Sequence, residues 1–301
     1  MTVIDMNNIS KAYGKKNVVD NFSLNIKKGH ICGLIGPNGA GKTTIMKILA
    51  GLTFQSKGEV RFFESDNLDE GRARMSFMIE TPIIYAGMTA RDNLQYIRYL
   101  RGYPDECRVD EILNIVGLSD TGNKPAKKFS LGMKQRLGIG MAMLQKPEVM
   151  VLDEPVNGLD PEGIVEVRQL VKRMSDEFGM TVLISSHLLT ELSELCTDFS
   201  IINHGRLVEN LRRDELLVKC KGHISLKTND INRTVAILED KLSIADYKVI
   251  HGEEIHIFEK LSEIDYISKT VTDNGLIIRK LNEEGQNLEE YYIEKVGGEN
   301  E

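Results

Sequence analysis

The chain has 301 residues, of which 41% are hydrophobic and 28% charged; at about 150 residues per domain this suggests two domains, each able to bury a core without staples. Its four cysteines, at 32, 107, 196 and 220, form no CxxC pair, which argues against a metal knuckle or redox motif and for a reducing compartment. The formal net charge of -7 is concentrated in residues 222–301, where nine Lys and Arg face seventeen Asp and Glu, so a separate acidic C-terminal unit is expected and nucleic-acid binding by it is not.

The N-terminus, MTVIDMNNISKAYGKK, lacks the apolar core of a signal peptide, and no stretch approaches the roughly 20 apolar residues that span a bilayer. A cytosolic protein is expected, and a membrane role would need a partner. VIDMNNISKAYG and NFSLNI read as strands joined by short polar turns. HICGLIG is an apolar run ending in glycines, followed by GAGKTTIMKILAG, a helical pattern closed by Gly51. GEVRFF is another strand. From about Ile83 to Met143 the pattern is mainly helical, including ARDNLQYIRYLRG and DEILNIVGL. VMVLDEP and TVLISSH are buried-strand runs separated by the amphipathic helix EGIVEVRQLVKRMSDEFG. Apolar strands alternating with helices predict a parallel α/β sheet.

The C-terminal unit alternates differently. ISLKT is a strand; Ile231, Val235, Leu238 and Leu242 share a helix face; YKVI and EIHIF form a hairpin around HGEE. Ile264, Ile267 and Val271 mark a second helix, and GLIIRKL a last strand. The order is β-α-β-β-α-β, the split pattern of ferredoxin-like α+β units. A closing helix carries Leu288, Tyr292 and Val296 on one face.

GPNGAGKT, residues 36–43, matches the phosphate-loop pattern G-x-x-x-x-G-K-[ST] after a strand and before a helix. Gly36, Gly39 and Gly41 let the backbone curl so that its N–H groups point inward. Pro37, Asn38, Ala40 and Thr44 complete the nucleotide-binding stretch. Lys42 reaches the β- and γ-phosphates, and Thr43 offers a hydroxyl to Mg²⁺. Asp153, closing VMVLDEP, would hold Mg²⁺ through water or Thr43. Glu154 is the candidate general base. Adjacent acids at a strand end more often cap a helix, but these lie beside a phosphate loop. His187 ends a neighbouring parallel strand, where ligands bind, which favours a switch role over a purely structural one. In FSLGMKQRL, Ser130 and Gly132 open a second helix N-terminus, another anion grip; Ser130 also suits a plain N-cap.

Residues 1–220 resemble the nucleotide-binding subunit of ATP-binding cassette (ABC) transporters. GPNGAGKT, FSLGMKQ, VMVLDEP, the NGLD turn and SSH occur in the family's order. The resemblance implies an α/β P-loop NTPase over 1–220 with a nested helical subdomain at about 83–143, and a C-terminal accessory domain over 221–301. It implies an ATPase that uses ATP and Mg²⁺ and stacks adenine on Tyr13. It also implies a homodimer assembled head to tail around ATP, so that Ser130 and Gly132 grip the nucleotide of the other copy, with Asp160 at the interface. An integral membrane permease is the implied partner, placing the chain on the inner face of the membrane. Nucleic acid is not an expected partner: relatives acting on it fuse two cassettes or insert long coiled coils. A soluble ATP switch and a non-hydrolysing binding module are the other readings; intact Lys42, Asp153, Glu154 and His187 speak against the latter.

Three departures stand out. Leu131 and Met133 replace the usual Gly and Gln of the signature. Glu80, in FMIETP, aligns with the usual Gln at the entry to the helical subdomain. It would bring a third carboxylate near Asp153 and Glu154 as a metal ligand; like charges about 4 Å apart repel by roughly 4 kcal/mol at an effective dielectric near 20. IETP, SLGMKQRL and LEEYYIEKVGG together resemble subunits of bacitracin-export and lantibiotic-immunity systems, although exporters of ions or drugs share much of the pattern. Ile83, Ile84 and Tyr85 are either a docking surface or ordinary core. The C-terminal unit could pair subunits, regulate turnover or bind an effector.

Overall fold

Long strands open the chain because apolar residues recur on one face from Val3 to Ile26. In the computed structural model, which describes residues 1–220, 222–250, 252–284 and 288–297, the order begins β1 (Thr2–Tyr13), β2 (Lys16–Lys27), β3 (Ile31–Ile35), α1 (Lys42–Leu49) and β4 (Lys57–Phe62). It continues through α2 (Leu68–Ala73), β5 (Met75–Met78), α3 (Ala90–Leu100), α4 (Cys107–Ile115), α5 (Leu131–Met143), β6 (Val149–Leu152) and α6 (Pro161–Asp176). Then come β7 (Thr181–Ser186), α7 (Leu189–Leu192), β8 (Asp198–Asn203), β9 (Arg206–Arg212) and α8 (Arg213–Lys219).

Two sheets form. β2-β1-β4 is antiparallel, and the second runs β5-β6-β7-β3-β8-β9, parallel except for its last strand. The expected parallel α/β sheet is therefore present, and β3, β6 and β7 are buried along their whole length. α1 packs Ile45, Met46, Ile48 and Leu49 into a core shared with Ile4, Met6, Phe22, Phe62, Leu34, Val151 and Leu183. Each such buried side chain stabilises the fold by about 1.5–3 kcal/mol, so the helix behind the phosphate loop is anchored on both sides.

The helical stretch differs from its expected start at Ile83. Residues 83–89 are irregular, Pro82 standing before them, and helix begins at Ala90 because Thr89 and Asp92 close a reciprocal capping box. Neither α2 nor β5 was evident in the sequence: each is short, six and four residues.

The second unit begins with α8 and continues with β10 (His223–Thr228), α9 (Ile231–Asp240), β11 (Tyr247–Ile250), β12 (Glu254–Ile257), α10 (Ile264–Asp273), β13 (Ile278–Glu284) and the first part of α11 (Leu288–Gly297), whose residues from Lys295 belong to the first unit. Its antiparallel sheet has the order β11-β12-β10-β13, with Ile224, Leu226, Leu238, Ile255, Ile257, Ile267 and Val271 in one core. Leu242, expected on the helix, lies beyond its Asp240 end yet is buried, its N–H donating to Ile237 O. His251, in the expected HGEE turn, lies outside the described residues.

The chain divides into two compact units. Unit 1 is Met1–Arg213 with the described residues Lys295–Gly297, and unit 2 is Asp214–Glu294. The return of the chain end has local causes: Asn203 Nδ2 donates to Val296 O at 3.0 Å, and Lys295 lies 3.9 Å from Glu209.

Within unit 2, Glu254 accepts from Ser225 Oγ and from Lys280 Nζ, the latter at 3.0 Å. These bonds hold its carboxyl well below the ordinary 4.5, at about 2. A depressed folded-state pKa means that ionised Glu254 contributes fully above about pH 4.5 and loses that contribution as pH falls toward 2. Glu254→Gln is therefore expected to lower the unfolding temperature by several degrees at pH 7. Calorimetry at pH 2 should find the variant and wild type alike.

Candidate functional site

Three neighbouring parallel strands, β6, β7 and β3, end side by side, and the chain leaves each into a motif. Ile35 is followed by the phosphate loop, Leu152 by Asp153 and Glu154, and Ser186 by His187. Residues more than a hundred positions apart thus meet at one sheet end, the place where open α/β sheets bind ligands.

The phosphate loop is held from both sides. Gly36 N–H donates to Ser186 O at 3.2 Å, and Gly205 N–H to Ala40 O at 2.9 Å. A Cβ at Gly36 would lie 2.3 Å from Ile202 O, so no other residue fits there. Gly41, the N-cap of α1, takes φ +107 with Val18 O 2.8 Å from where its Cβ would be, a conformation L side chains avoid. Asn38 and Gly39 are exposed, Pro37, Thr43 and Thr44 half-buried, and Ala40 buried.

Lys42 is only 4% exposed. Its ammonium donates to Gly36 O at 2.7 Å and Pro37 O at 3.2 Å and lies 3.1 Å from Glu154 Oε1. Thr43 Oγ1 donates to Asp153 Oδ2 at 2.8 Å, and Ser185 Oγ donates to Asp153 Oδ1 at 2.7 Å. Glu154 N–H donates to the same Ser185 hydroxyl at 2.8 Å. Glu154 sits at φ 45, a conformation costing a non-glycine residue about 1–3 kcal/mol; the Ser185 bond and the Lys42 ion pair hold it there. His187 Nδ1 lies 3.4 Å from Glu154 Oε2 without hydrogen-bond alignment.

Thr43 and Asp153 pair two oxygen donors, the hard-ligand chemistry that suits Mg²⁺. No group of three or more His, Cys, Asp or Glu among the described residues could hold a metal. Among the described residues Glu80 does not form a three-acid group with Asp153 and Glu154. Lys47 Nζ donates to Glu80 Oε1 at 2.7 Å instead, and the carboxylate is 62% exposed. The repulsion anticipated for a third acid is answered by a lysine.

The second grip is organised separately. Ser130 caps α5, accepting from Met133 N–H at 3.2 Å. Gly132 is buried against α6, its Cβ position 3.5 Å from Gly163 Cα. Asp160 caps α6 through Gly163 N–H at 3.1 Å. Leu131, the departure from the usual Gly, is 44% exposed beside Gly158 of the NGLD turn. No hydrogen bond among the described residues joins Ser130, Gly132 or Asp160 to the phosphate loop. Tyr13 is 51% exposed, with Lys11 Nζ 5.0 Å from its ring centroid.

Sequence reasoning missed Ser185 and Lys47. Ser185 was visible as the first Ser of SSH. Lys47 stands four residues after Thr43 and therefore on the same helix face.

The family model described as ABC transporter matches residues 19–157. An uncharacterized ABC transporter ATP-binding protein, YcbN of Bacillus subtilis (strain 168), is 40% identical over 301 residues, covering 98% of this chain and 97% of that protein. The bacitracin transport ATP-binding protein BcrA of Bacillus licheniformis is 37% identical, covering 99% of this chain and 98% of its own. A solved dimeric ATP-binding cassette in a post-hydrolysis state, bound to ADP and Pi, superposes with TM-score 0.62 at 24% identity, covering 70% of this chain and 98% of that one.

Proposed function

The chain belongs to the ABC transporter family of ATP-binding proteins, and on that premise we propose that it hydrolyses ATP to energise a separate membrane permease, most consistently an exporter of peptide antibiotics. The observation that carries this is the convergence of Lys42, Asp153, Glu154 and His187 at adjoining strand ends.

Lys42 and the loop N–H groups bind the β- and γ-phosphates. Thr43 and Asp153 would hold Mg²⁺, which supplies positive charge where the transferred phosphoryl develops negative charge. Glu154 orients the attacking water and accepts its proton. His187, 3.4 Å from Glu154, is positioned to meet both the base and the terminal phosphate. Ser130, Gly132 and Asp160 face the nucleotide of a second, head-to-tail copy. Their lack of bonds to their own phosphate loop supports this, as does the dimeric cassette of the same fold. Tyr13 offers an exposed ring for adenine. ATP, touching both copies only when they meet, favours the dimer by mass action.

No helix of the described residues is long and apolar enough to cross a membrane, so the permease supplies the membrane contact and the chain sits peripherally on the cytoplasmic face. Its docking surface is the groove of about 260 Å³ between the segment after Glu80 and helices α3 and α5, lined by Met78, Pro82, Ile83, Ile97 and Met141. Ile83 is 85% exposed there. The bacitracin-transport relative supports peptide cargo.

Ile83→Asp tests the reading. The isolated variant should release phosphate from ATP at the wild-type rate, yet fail to co-isolate with the permease from detergent-solubilised membranes. Wild-type complex should hydrolyse faster when bacitracin is added. Retained co-isolation of the variant would remove the groove from the interface. A wild-type chain that releases no phosphate would remove the ATPase.

A further inference from the structure

Unit 2 holds a cavity of about 730 Å³ at one end of its sheet, bounded by β10, the start of α9, the β11–β12 hairpin and β13. Ligand sites run from roughly 300 to 1,000 Å³, so a small organic molecule fits. Part of the lining is apolar. Ile231 and Val235 stand one turn apart on α9, and Val249, on the edge strand β11, is 43% exposed. The Tyr247 ring joins them, its hydroxyl already donating to Glu239 Oε1 at 2.6 Å.

The rest of the lining is rich in donors. Lys227 is neutralised by Glu253, 2.6 Å away. Arg279 is not: its guanidinium meets no acid or carbonyl among the described residues, although acids outnumber bases seventeen to nine over residues 222–301. Asn229 Oδ1 accepts from Ile277 N–H at 2.8 Å, which leaves the amide NH₂ unused, and the Asn232 amide has no partner among the described residues. The backbone of β13 is shaped to aim Arg279. Its register against β10 passes from Lys227↔Lys280 to Thr228↔Ile278, so Arg279 is the extra residue of a bulge. Ile278 and Leu281, three positions apart, both pack on the core, which the alternation of a regular strand forbids. Bulges re-aim a side chain in this way, at the expense of local ladder pairing.

We propose that unit 2 binds a small organic anion in this cavity. Its carboxylate, sulfonate or phosphate oxygens are taken by Arg279 and the amides of Asn229 and Asn232, and its apolar body lies on Ile231, Val235 and Val249. A neutral ligand would leave the guanidinium unmatched, and a bare inorganic anion would leave the apolar lining wet. The two features together select an amphipathic anion, oriented by charge-assisted hydrogen bonds. The site lies wholly within unit 2 and does not depend on the nucleotide-site reading.

Anilinonaphthalene sulfonate, an aromatic body with one anionic group, is the probe, titrated into the full-length chain and followed by methyl NMR. The methyl resonances of Ile231, Val235 and Val249 should move together along one saturation curve. Arg279→Gln should weaken that binding about tenfold, as expected for one lost bond to a charged group. Val249→Asp should abolish it. The same dye without its sulfonate should bind wild type and Arg279→Gln equally, and about tenfold more weakly than the sulfonate binds wild type. Arg233→Gln should bind as wild type, because that arginine lies outside the cavity and donates to Asn274 O. Methyl resonances at the cavity that do not move, with the dye bound only elsewhere, overturn the proposal. So does Arg279→Gln binding the sulfonate as wild type, or the neutral dye binding wild type as tightly as the sulfonate. Inorganic phosphate that binds as tightly as the sulfonate would remove the apolar half of the site and overturn the ligand class.

Discussion

Glu154→Gln is expected to keep ATP and stop hydrolysing it, with single-turnover phosphate release slowed by about 10²–10⁴-fold, the range a positioned general base supplies. The amide is isosteric with the carboxylate and can still orient a water, but it cannot take its proton. The scaffold should survive the change. The strained backbone at position 154 is fixed by its own N–H on Ser185, 2.8 Å away, which the substitution does not touch. The charge lost is the one facing Lys42 at 3.1 Å. Removing it leaves the ammonium free to serve the phosphates, so nucleotide affinity should hold or rise. With binding intact and turnover stalled, the ATP-bound dimer should accumulate. Size-exclusion chromatography in ATP and Mg²⁺ should show the variant at twice the monomer mass while wild type returns to monomer. Wild-type turnover in Glu154→Gln would hand the base role to another group, and a stalled variant that stays monomeric would deny that the nucleotide bridges two copies.

What could be read from residues alone divides along a physical line. The phosphate loop, the strand-end acids and the strand before His187 are local patterns: their backbone needs, glycines at tight turns and apolar runs in a buried sheet, are written contiguously. β3, β6 and β7 followed from runs of four to six residues bounded by turn signals. The contacts that complete the site are long-range. Ser185 bridges Asp153 and the Glu154 N–H only because β6 and β7 are neighbours in the sheet. The steric reason for glycine at position 36 lies in Ile202, on a strand 166 positions later. The pairing of Glu80 was hidden for the same reason. Its sequence context aligns it with a metal-facing position, whereas its partner Lys47 is known only once α1 and the end of β5 are brought together. The irregular stretch before α3 was overextended into helix because Ile83, Ile84 and Tyr85 are apolar, and periodicity does not register Pro82 or the capping box at Thr89. The chain's return to unit 1 at Lys295 depends on contacts to Asn203 and Glu209 that no local pattern encodes.

Lys42→Ala should be the most damaging single change to nucleotide binding, weakening ATP affinity by roughly 10²–10³-fold. Two effects add. The first is loss of the cation that meets the β- and γ-phosphates; hydrogen bonds to charged groups are worth about 1.5–3 kcal/mol each, and two of them near the lower end, about 3–4 kcal/mol together, correspond to that range of affinity. The second is electrostatic. Lys42 is nearly fully buried, and the Glu154 side chain beside it is only 20% exposed. Deleting the lysine leaves Asp153 and Glu154 as adjoining anions at the mouth of a site that must accept a polyanion. Lys42→Arg should recover little, because a planar fork cannot reproduce a compact ammonium that donates at once to Gly36 O and Pro37 O. Combining Lys42→Ala with Glu154→Gln separates the two effects. The double variant should regain the electrostatic share, binding ATP more tightly than Lys42→Ala though still more weakly than wild type. Calorimetric titration of all three variants, alongside urea unfolding to show that each is folded, decides it. An affinity for Lys42→Ala within threefold of wild type would mean the loop N–H groups hold the phosphates unaided, and the buried ammonium would then be only a structural clasp between the loop and Glu154.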